Sequence, residues 1–320
     1  MRICVFGAGA VGGHFAVRLA NAGHEVSVVA RGAHLEAIRT RGLALVSGDE
    51  RREARIAASD DPAAFGRQDL VLVTLKAHDA PGFAGVAAPL LGDDTVVAFA
   101  HNGIPWWYGD RFAPARAPLP DLSRLDPDGA LRATVGIGRT LGGVIYSSND
   151  LAKPGVVVNN SPTRNRLLIG EIDDADSDRV SRIRAAFSEA GIDSPPLDSI
   201  RRRIWGKLIA NLAVSVPAFL AGVTSRTVFD DPDLRPIVDG LANEASAIAA
   251  SQGFACALDP TGPAPGHTSS MLQDHQRGRR AEYEALLAMP RAFARAAGID
   301  TPVLDTIAGL AAFRLRPTAS

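Results

Sequence analysis

Cysteine is nearly absent from the sequence, and so is any pattern that binds a metal. Cys4 and Cys256 are the only two cysteines in 320 residues, and neither belongs to a CxxC pair. The seven histidines lack metal-ligand spacing, and neither an HExxH motif nor a nucleophile elbow occurs. We therefore expect no metal, no covalent catalysis and a reduced, cytoplasmic setting.

A dominant charge sign is missing as well. The 34 lysines and arginines nearly balance the 35 aspartates and glutamates, which leaves a net charge of -1. The sequence therefore offers no basic field that would concentrate nucleic acid or acidic lipid. The only dense basic run, residues 201–203, flanks an apolar segment. These observations favour a small-molecule ligand and leave the oligomeric state open, with a homodimer compatible.

Residues 1–197 are predicted to form an α/β domain. Short β-branched runs alternate with helical stretches, which is typical of parallel strands joined by crossover helices. A helix is expected from about residue 11, and an amphipathic helix over residues 177–190 ends the domain. The expected strands are 3–6, 25–29, 70–75, 95–99, 141–146, 155–160 and 167–170.

Two further segments do not show this alternation of strand and helix patterns. Residues 103–132 are rich in Pro, Asp and Gly, which predicts a long surface excursion bordering the site or an interface. Residues 198–320 show only Ala- and Leu-rich helical patterns, which predicts a second, all-helical domain. Its apolar stretch 208–223 is shorter than the roughly 20 residues of a membrane span. We interpret that stretch as a buried core helix.

The motif that carries the first functional signal is Gly-Ala-Gly-Ala-Val-Gly, which follows a strand and opens a helix. In this context GxGxxG indicates dinucleotide binding, although a merely Gly-rich tight turn is the alternative. The first glycine permits the turn, the second admits the pyrophosphate and the third allows close strand–helix packing, while the helix N-terminus offers N–H groups. The predicted cofactor residues are Gly7, Ala8, Gly9, Ala10, Val11 and Gly12.

Three more polar side chains follow strands of the predicted sheet. Arg31 stands where NAD-binding sequences carry an acid, and its planar cation suits a 2′-phosphate, so NADPH is favoured over NADH. A solvated surface arginine is the alternative. Lys76 and Asn102 follow two core strands at the edge where open parallel sheets bind ligands, so both are candidate ligand contacts.

A polar stripe crosses the apolar segment of the second domain. Lys207, Asn211 and Ser215 recur at i, i+4 and i+8. Burying an unpartnered ammonium costs several kcal/mol or shifts its pKa, so we expect this lysine to face a polar cleft. A lysine that extends to a solvated helix edge is the alternative.

A second constellation of the helical domain contains Ser270 and Glu282. Ser270 with Gln273 satisfies a capping box, so helix initiation and ligand binding are equally good explanations of this serine. Periodicity alone does not select Glu282 over Glu284, because either acid suits a solvated helix face.

Over nearly its whole length the sequence resembles the ketopantoate reductase family, also called 2-dehydropantoate 2-reductases. The resemblance implies a Rossmann-type NADP-binding domain joined to a helical domain, with substrate and nicotinamide meeting in the cleft between them. The matching motifs are residues 7–12, Thr74-Leu-Lys76, His101-Asn-Gly103, Trp205-Gly-Lys207-Leu…Asn211 and Ser269-Ser-Met-Leu-Gln-Asp274…Glu282.

The same resemblance implies a role for each site residue. Lys207 would be the general acid that protonates the carbonyl oxygen as NADPH delivers hydride. Asn102 would contact both cofactor and substrate, and Lys76 and Glu282 would contact the cofactor. Asn211 and Ser270 would bind the keto acid. Ser215, the third residue of the polar stripe, is a further candidate for substrate binding.

The expected activity is NADPH-dependent reduction of a small 2-keto acid, with 2-dehydropantoate to (R)-pantoate as the leading case. Ser215 departs from the family pattern, which usually has a second asparagine there, and a hydroxyl reaches less far than an amide. This residue and the Trp-rich run at 103–108 keep a reductase of another 2-keto acid or carbonyl compound open. A non-catalytic NADP-binding sensor is the alternative from another functional class.

Overall fold

A computed structural model describes residues 1–112 and 117–316 of the chain. Residues 113–116, which belong to the predicted surface excursion, lie outside the described residues. The chain divides into two compact units. The first contains Met1–His101 and Asp126–Ile200, and the second contains Asn102–Leu125 and Arg201–Ser320.

The first unit is built on a seven-stranded sheet with the strand order β11-β8-β7-β6-β1-β2-β5. All its neighbouring strands pair in parallel except β8 and β11. Apart from β11, the order is that of a doubly wound dinucleotide-binding sheet, so the α/β prediction is confirmed. The strands are β1 (Arg2–Phe6), β2 (Glu25–Val29), β3 (Leu43–Ser47), β4 (Glu50–Ala54), β5 (Ala57–Ser59), β6 (Leu70–Val73), β7 (Val96–Ala100), β8 (Thr140–Ile145), β9 (Asn149–Lys153), β10 (Val156–Asn159) and β11 (Leu167–Glu171).

The remaining strands form a separate four-stranded sheet, which the sequence pattern does not predict. Its order is β4-β3-β10-β9, and helix α1 (Ala10–Asn21) packs against it. The strand predicted at 155–160 is present as β10, but it belongs to this second sheet. Strands β3, β4, β5 and β9 were missed. Of these, β5 has only three residues, and β4 is a polar run of Glu, Arg and Ala.

The helices of the first unit connect and cover these strands. The core of the first unit contains residues of β1, β2 and β6 together with helix residues such as Phe15 and Phe187. The last helix begins at its cap Ser177, whose hydroxyl accepts a hydrogen bond of 3.2 Å from Val180 N, at the start predicted from the amphipathic pattern. The helices are α1 (Ala10–Asn21), α2 (Gly32–Arg41), α3 (Ala80–Ala84), α4 (Ala130–Thr134) and α5 (Asp178–Glu189).

In the second unit the described residues form helices and no strand, as expected from the sequence. The helical stretch Ile200–Ala221 is long and apolar enough to cross a membrane by composition, yet 61% of its most apolar window is buried within the protein. It is therefore a core helix, as predicted. The helices are α6 (Ile200–Ala210), α7 (Val216–Ala221), α8 (Ser225–Asp230), α9 (Arg235–Ser251), α10 (Ser270–Gln276), α11 (Met289–Ala296) and α12 (Pro302–Arg314), with π-helical turns at Asn211–Ser215 and Glu284–Ala288.

The segment after β7 differs from the surface excursion predicted for residues 103–132. Ile104, Trp107 and Tyr108 are fully buried, and Trp106 is nearly so. These side chains are buried because removing their large, mainly aromatic surfaces from water is strongly favourable. This effect exceeds the tendency of the neighbouring Gly and Pro residues to form surface turns. The beginning of this segment is therefore part of the core of the second unit.

Candidate functional site

The Gly-rich turn after β1 adopts the geometry that the motif predicts. Gly7 has a φ of +100°, which favours glycine, and the backbone N–H groups of Gly7 and Ala8 both donate to Val29 O at the end of β2. The Thr74 hydroxyl, which follows β6, donates a hydrogen bond of 2.7 Å to Gly7 O. The turn is thus held by the strands on both sides of β1.

The other two glycines of the motif differ in their surroundings. A Cβ at position 12 would lie 2.3 Å from Gly7 O and 2.4 Å from Thr74 Oγ1, so only glycine permits this contact between turn and helix. A Cβ at position 9 would meet nothing within 4 Å, so this face of the turn is open to a ligand. Helix α1 begins at Ala10, so its first N–H groups lie at this turn. The turn therefore fits a bound pyrophosphate.

Arg31 and Lys76 lie at the same edge of the sheet as the turn. Arg31 is the exposed N-cap residue of α2, two residues after β2 ends. Lys76 is partly exposed and follows β6 by three residues. Because β1 pairs in parallel with both β2 and β6, their carboxyl ends meet at one edge of the first unit. The predicted cofactor residues of the first unit therefore lie at one edge of its sheet. The other two predicted cofactor residues, Asn102 and Glu282, belong to the second unit.

In the second unit, Lys207 lies near the end of α6, and Asn211 and Ser215 begin and end the π-helical turn that follows. All three are partly exposed, whereas Leu208, Leu212 and Val214 around them are buried. The predicted polar stripe therefore exists on an otherwise buried helix. The π-turn, which closes with i→i+5 hydrogen bonds, takes in one extra residue and is a feature often found at functional sites.

Lys207 and Glu282 of the second unit interact electrostatically. Burial lowers the pKa of the Lys207 ammonium from 10.5 to about 8, and the charge of Glu282 opposes that shift. Glu282 is itself only 3% exposed. A lysine with a pKa of about 8 is protonated at neutral pH and yields its proton readily, which suits a general acid.

Asn102 is tied to the same carboxylate. Its Nδ2 donates to Glu282 Oε2 at 3.1 Å. The next residue, Gly103, has a φ of +80°, and a Cβ there would lie 2.4 Å from Ala285 O in the second π-turn. Ile104 N also donates to Ala285 O, at 3.1 Å. The backbone after Asn102 is thus packed against the turn that follows Glu282.

Ser270 and Glu284 resolve two alternatives that the sequence leaves open. The cap of α10 is Ser269, whose hydroxyl accepts from Leu272 N at 3.3 Å, so the capping role expected of Ser270 is wrong. Ser270 is the first helical residue and is partly exposed. Glu284 pairs with Arg124 at 3.1 Å, whereas Glu282 is the buried acid beside Asn102 and Lys207.

Arg201 organises an aromatic cluster that sequence reasoning missed. Its guanidinium, in a side chain only 1% exposed, donates to Tyr108 O at 2.9 Å and Asp110 O at 2.6 Å. It also lies 4.6 Å from the ring centroid of Phe112. Trp205 Nε1 donates to the Tyr108 hydroxyl at 2.7 Å. The segment after Asn102 is therefore fastened to α6, the helix that carries Lys207.

The sequence signal for this cluster was present but ambiguous. Residues 201–203 form a basic run, and only the first of them is buried. The pattern of residue types does not show which of the three arginines is buried. The hydrogen-bond partners of the buried arginine are backbone carbonyls distant in sequence.

Known proteins resemble this chain along almost its whole length. Residues 3–111 match the family described as Ketopantoate reductase PanE/ApbA, and residues 199–314 match Ketopantoate reductase PanE/ApbA C terminal. The chain is 37% identical to the 2-dehydropantoate 2-reductase of Mesorhizobium japonicum, over 97% of this chain and 96% of the relative.

Solved structures give the same result. The crystal structure of 2-dehydropantoate 2-reductase from Geobacter metallireducens GS-15 superimposes with a TM-score of 0.82 at 26% identity, covering 97% of this chain and 98% of that one. The ternary structure of D-mandelate dehydrogenase with NADH and anilino(oxo)acetate, at 19% identity and a TM-score of 0.83 over 98% of both chains, shares the fold.

Proposed function

The chain belongs to the ketopantoate reductase family, and from that premise we propose that it reduces 2-dehydropantoate to (R)-pantoate with NADPH. It is an NADP-dependent oxidoreductase acting on a CH–OH group. The reaction supplies pantoate for the biosynthesis of pantothenate and coenzyme A. The observation that carries the proposal is the partly buried Lys207 beside Glu282, with its pKa of about 8.

The proposed chemistry adds one hydride and one proton to a ketone. NADPH supplies the hydride to the carbonyl carbon when it is bound. The Lys207 ammonium donates the proton to the carbonyl oxygen as negative charge develops there, and it returns to the ammonium form by taking a proton from solvent. Glu282 supports this cycle because its charge raises the pKa of Lys207 against the effect of burial.

The remaining polar residues of the second unit are proposed to bind the substrate. Asn211, Ser215 and Ser270 are partly exposed hydrogen-bonding side chains, and their amide and hydroxyl groups suit a carboxylate or a keto oxygen. Asn102 is proposed to contact both substrate and cofactor. Glu282, which orients the Asn102 amide, is proposed to contact the cofactor too.

The cofactor is held mainly by the first unit in this proposal. The open face of the turn at Gly9 and the N-terminus of α1 would receive the pyrophosphate. Arg31 would pair with the 2′-phosphate through its planar guanidinium, and Lys76 would contact the cofactor at the neighbouring strand end.

A reductase of another 2-keto acid is the second candidate, and Ser215 is the observation that favours it. A shorter hydroxyl in place of the family's usual amide leaves room for a different group beside the keto acid. We further propose that the protein works in the cytoplasm on this small molecule, without nucleic acid or membrane. The sequence leaves the oligomeric state open, and a homodimer is compatible with it.

The test is a panel of 2-keto acids assayed by NADPH oxidation. We expect 2-dehydropantoate to give the highest kcat/KM, with 2-ketoisovalerate and phenylglyoxylate as a smaller and a larger comparison that both lack its 4-hydroxyl group. Absence of turnover with millimolar 2-dehydropantoate, together with turnover of another member, would move the function to the second candidate. If Lys207→Ala kept turnover within a few-fold of wild type on the best substrate, the proposed mechanism would be wrong.

A further inference from the structure

His34 connects two distant backbone segments of the first unit. It lies in the first turn of α2, three residues after Arg31, and its ring is partly buried. Its Nε2 is 2.7 Å from Ala8 O, in the Gly-rich turn. Its Nδ1 is 3.0 Å from Gly155 N, in the turn between β9 and β10. The imidazole therefore bridges the Gly-rich turn and the four-stranded sheet.

The two contacts determine the protonation of the ring. A backbone N–H can only donate, so Nδ1 must accept from Gly155 and carries no proton. In a neutral imidazole the proton then resides on Nε2, which donates to Ala8 O. Burial lowers the pKa of His34 and so favours this neutral form, although the bond to Ala8 acts in the opposite direction. Both ring nitrogens thus have one defined role.

The bond to Ala8 O fixes a peptide plane at the centre of the motif. Ala8 O belongs to the peptide that joins Ala8 to Gly9, and the N–H of that peptide donates to Gly7 O at 2.8 Å. His34 holds one side of the plane and the backbone holds the other. Gly9, whose open face is proposed to receive the pyrophosphate, is the next residue in the chain.

We propose that His34 is a positioning residue for cofactor binding: it holds the Ala8–Gly9 peptide in the orientation that presents the turn to the cofactor's pyrophosphate. This inference rests on the proposed function, since it assumes that a dinucleotide binds at the turn. The pyrophosphate is common to NADPH and NADH, whereas the 2′-phosphate belongs to NADPH alone. His34 therefore acts equally on both cofactors, in contrast to Arg31.

Two substitutions of similar polarity separate the two contacts of the ring. In His34→Gln the amide nitrogen lies as many bonds from Cβ as Nε2 does, so it can still donate to Ala8 O. In His34→Asn the amide oxygen can replace Nδ1 as the acceptor for Gly155, but the side chain is too short for Ala8 O. His34→Ala removes both contacts.

The experiment measures the Kd of NADPH and of NADH for each purified full-length variant by calorimetry, with thermal unfolding as the check on folding. We expect His34→Asn and His34→Ala to raise both Kd values by the same factor, about tenfold, as loss of one well-aligned hydrogen bond predicts. His34→Gln should stay within about threefold of wild type. In steady-state assays the KM for NADPH should rise in His34→Asn, while the KM for the keto acid should not follow it.

Three results would overturn the inference. Wild-type affinity in His34→Asn would show that the Ala8 bond does not matter for binding. An equal loss in His34→Gln and His34→Asn would assign the effect to the ring itself. A loss confined to NADPH would assign His34 to the 2′-phosphate. Failure of the wild-type protein to bind either dinucleotide would instead contradict the proposed function, so the two failures are distinguishable.

Discussion

Asn102 Nδ2 donates a hydrogen bond of 3.1 Å to Oε2 of Glu282, a residue 180 positions later in the chain. The same carboxylate raises the pKa of Lys207. The buried carboxylate of Glu282 therefore both orients the Asn102 amide and raises the pKa of the Lys207 ammonium. Changes at this acid should be visible in the pH dependence of the reaction as well as in its rate.

Replacing the acid by its amide is the first prediction. Glu282→Gln removes the charge that raises the pKa of Lys207, so the alkaline limb of kcat/KM should move to lower pH. Glu284→Gln is the matched control, because that acid pairs with Arg124 instead. The pH profiles of both variants and wild type provide the measurement. An unmoved limb in Glu282→Gln would contradict the coupling.

The second prediction concerns Lys207 itself. A general acid must be protonated, and the protonated fraction of this lysine falls as pH rises through about 8. Wild-type kcat/KM should therefore fall above pH 8. Lys207→Met should lower kcat by about 10²- to 10⁴-fold and abolish that limb. A wild-type rate that stays flat to pH 10 would exclude this lysine as the proton donor.

The third prediction tests the packing of Gly103. Gly103→Ala places a Cβ 2.4 Å from Ala285 O, at a position whose φ is +80°. The backbone must therefore move both in the π-turn that contains Ala285 and around residue 103. We expect about 1–3 kcal/mol of destabilisation and a lower kcat/KM, because Asn102 moves with its neighbour. Gly309→Ala, inside α12 with nothing within 4 Å, is the control and should stabilise by up to about 1 kcal/mol. Thermal unfolding and steady-state kinetics compare the pair.

Cofactor preference gives the fourth prediction. Arg31→Ser removes the cation proposed to bind the 2′-phosphate, so the KM for NADPH should rise about 10- to 100-fold. The KM for NADH should change little, since NADH lacks that phosphate. Arg41→Ser, at an exposed position in the last turn of α2, is the control. Equal losses with both cofactors would show that Arg31 acts elsewhere.

The fifth prediction addresses the buried Arg201. Arg201→Met keeps an unbranched apolar stem but removes the hydrogen bonds that Arg201 donates to Tyr108 O and Asp110 O. We expect about 2–4 kcal/mol of destabilisation, since one buried and one part-buried carbonyl lose a charged donor. Arg202→Met, at the exposed neighbouring position, should change stability by less than about 0.5 kcal/mol. Similar unfolding temperatures for the two variants would argue against a structural role of Arg201.

The sequence predicts those parts of the fold that local patterns encode. The strands of the seven-stranded sheet that were predicted lie within about two residues of their observed bounds, because β-branched runs and Gly-rich turns mark them. The strand expected at 70–75 ends at Val73, since Thr74 turns away to bond Gly7 O. The four-stranded sheet as a whole was not predictable from local patterns, because the pairing that joins its two halves connects β3 and β10, which are more than 100 residues apart.

In the candidate site, too, local patterns predict some features, whereas contacts between distant residues determine others. GxGxxG and the polar stripe are local patterns, so the turn and the exposure of Lys207, Asn211 and Ser215 follow from sequence. The π-turn between Asn211 and Ser215 does not, because the sequence there fits an α-helix equally well. The roles of His34 and Arg201 depend on backbone carbonyls far away in the chain, which no periodicity records.

The π-helical turn at Asn211–Ser215 makes this helix unusually sensitive to length variation. Deleting a single residue there would let the chain regain ordinary i→i+4 hydrogen bonding, so the local cost in free energy would be small. Because the wide turn takes in one extra residue, the later residues of the helix would keep nearly their present orientation, whereas the residues left within the turn would change their register relative to Lys207. Among homologous sequences, a one-residue gap within 211–215 would therefore mark a chain that keeps this helix but places different side chains at the partly exposed positions that Asn211 and Ser215 occupy here.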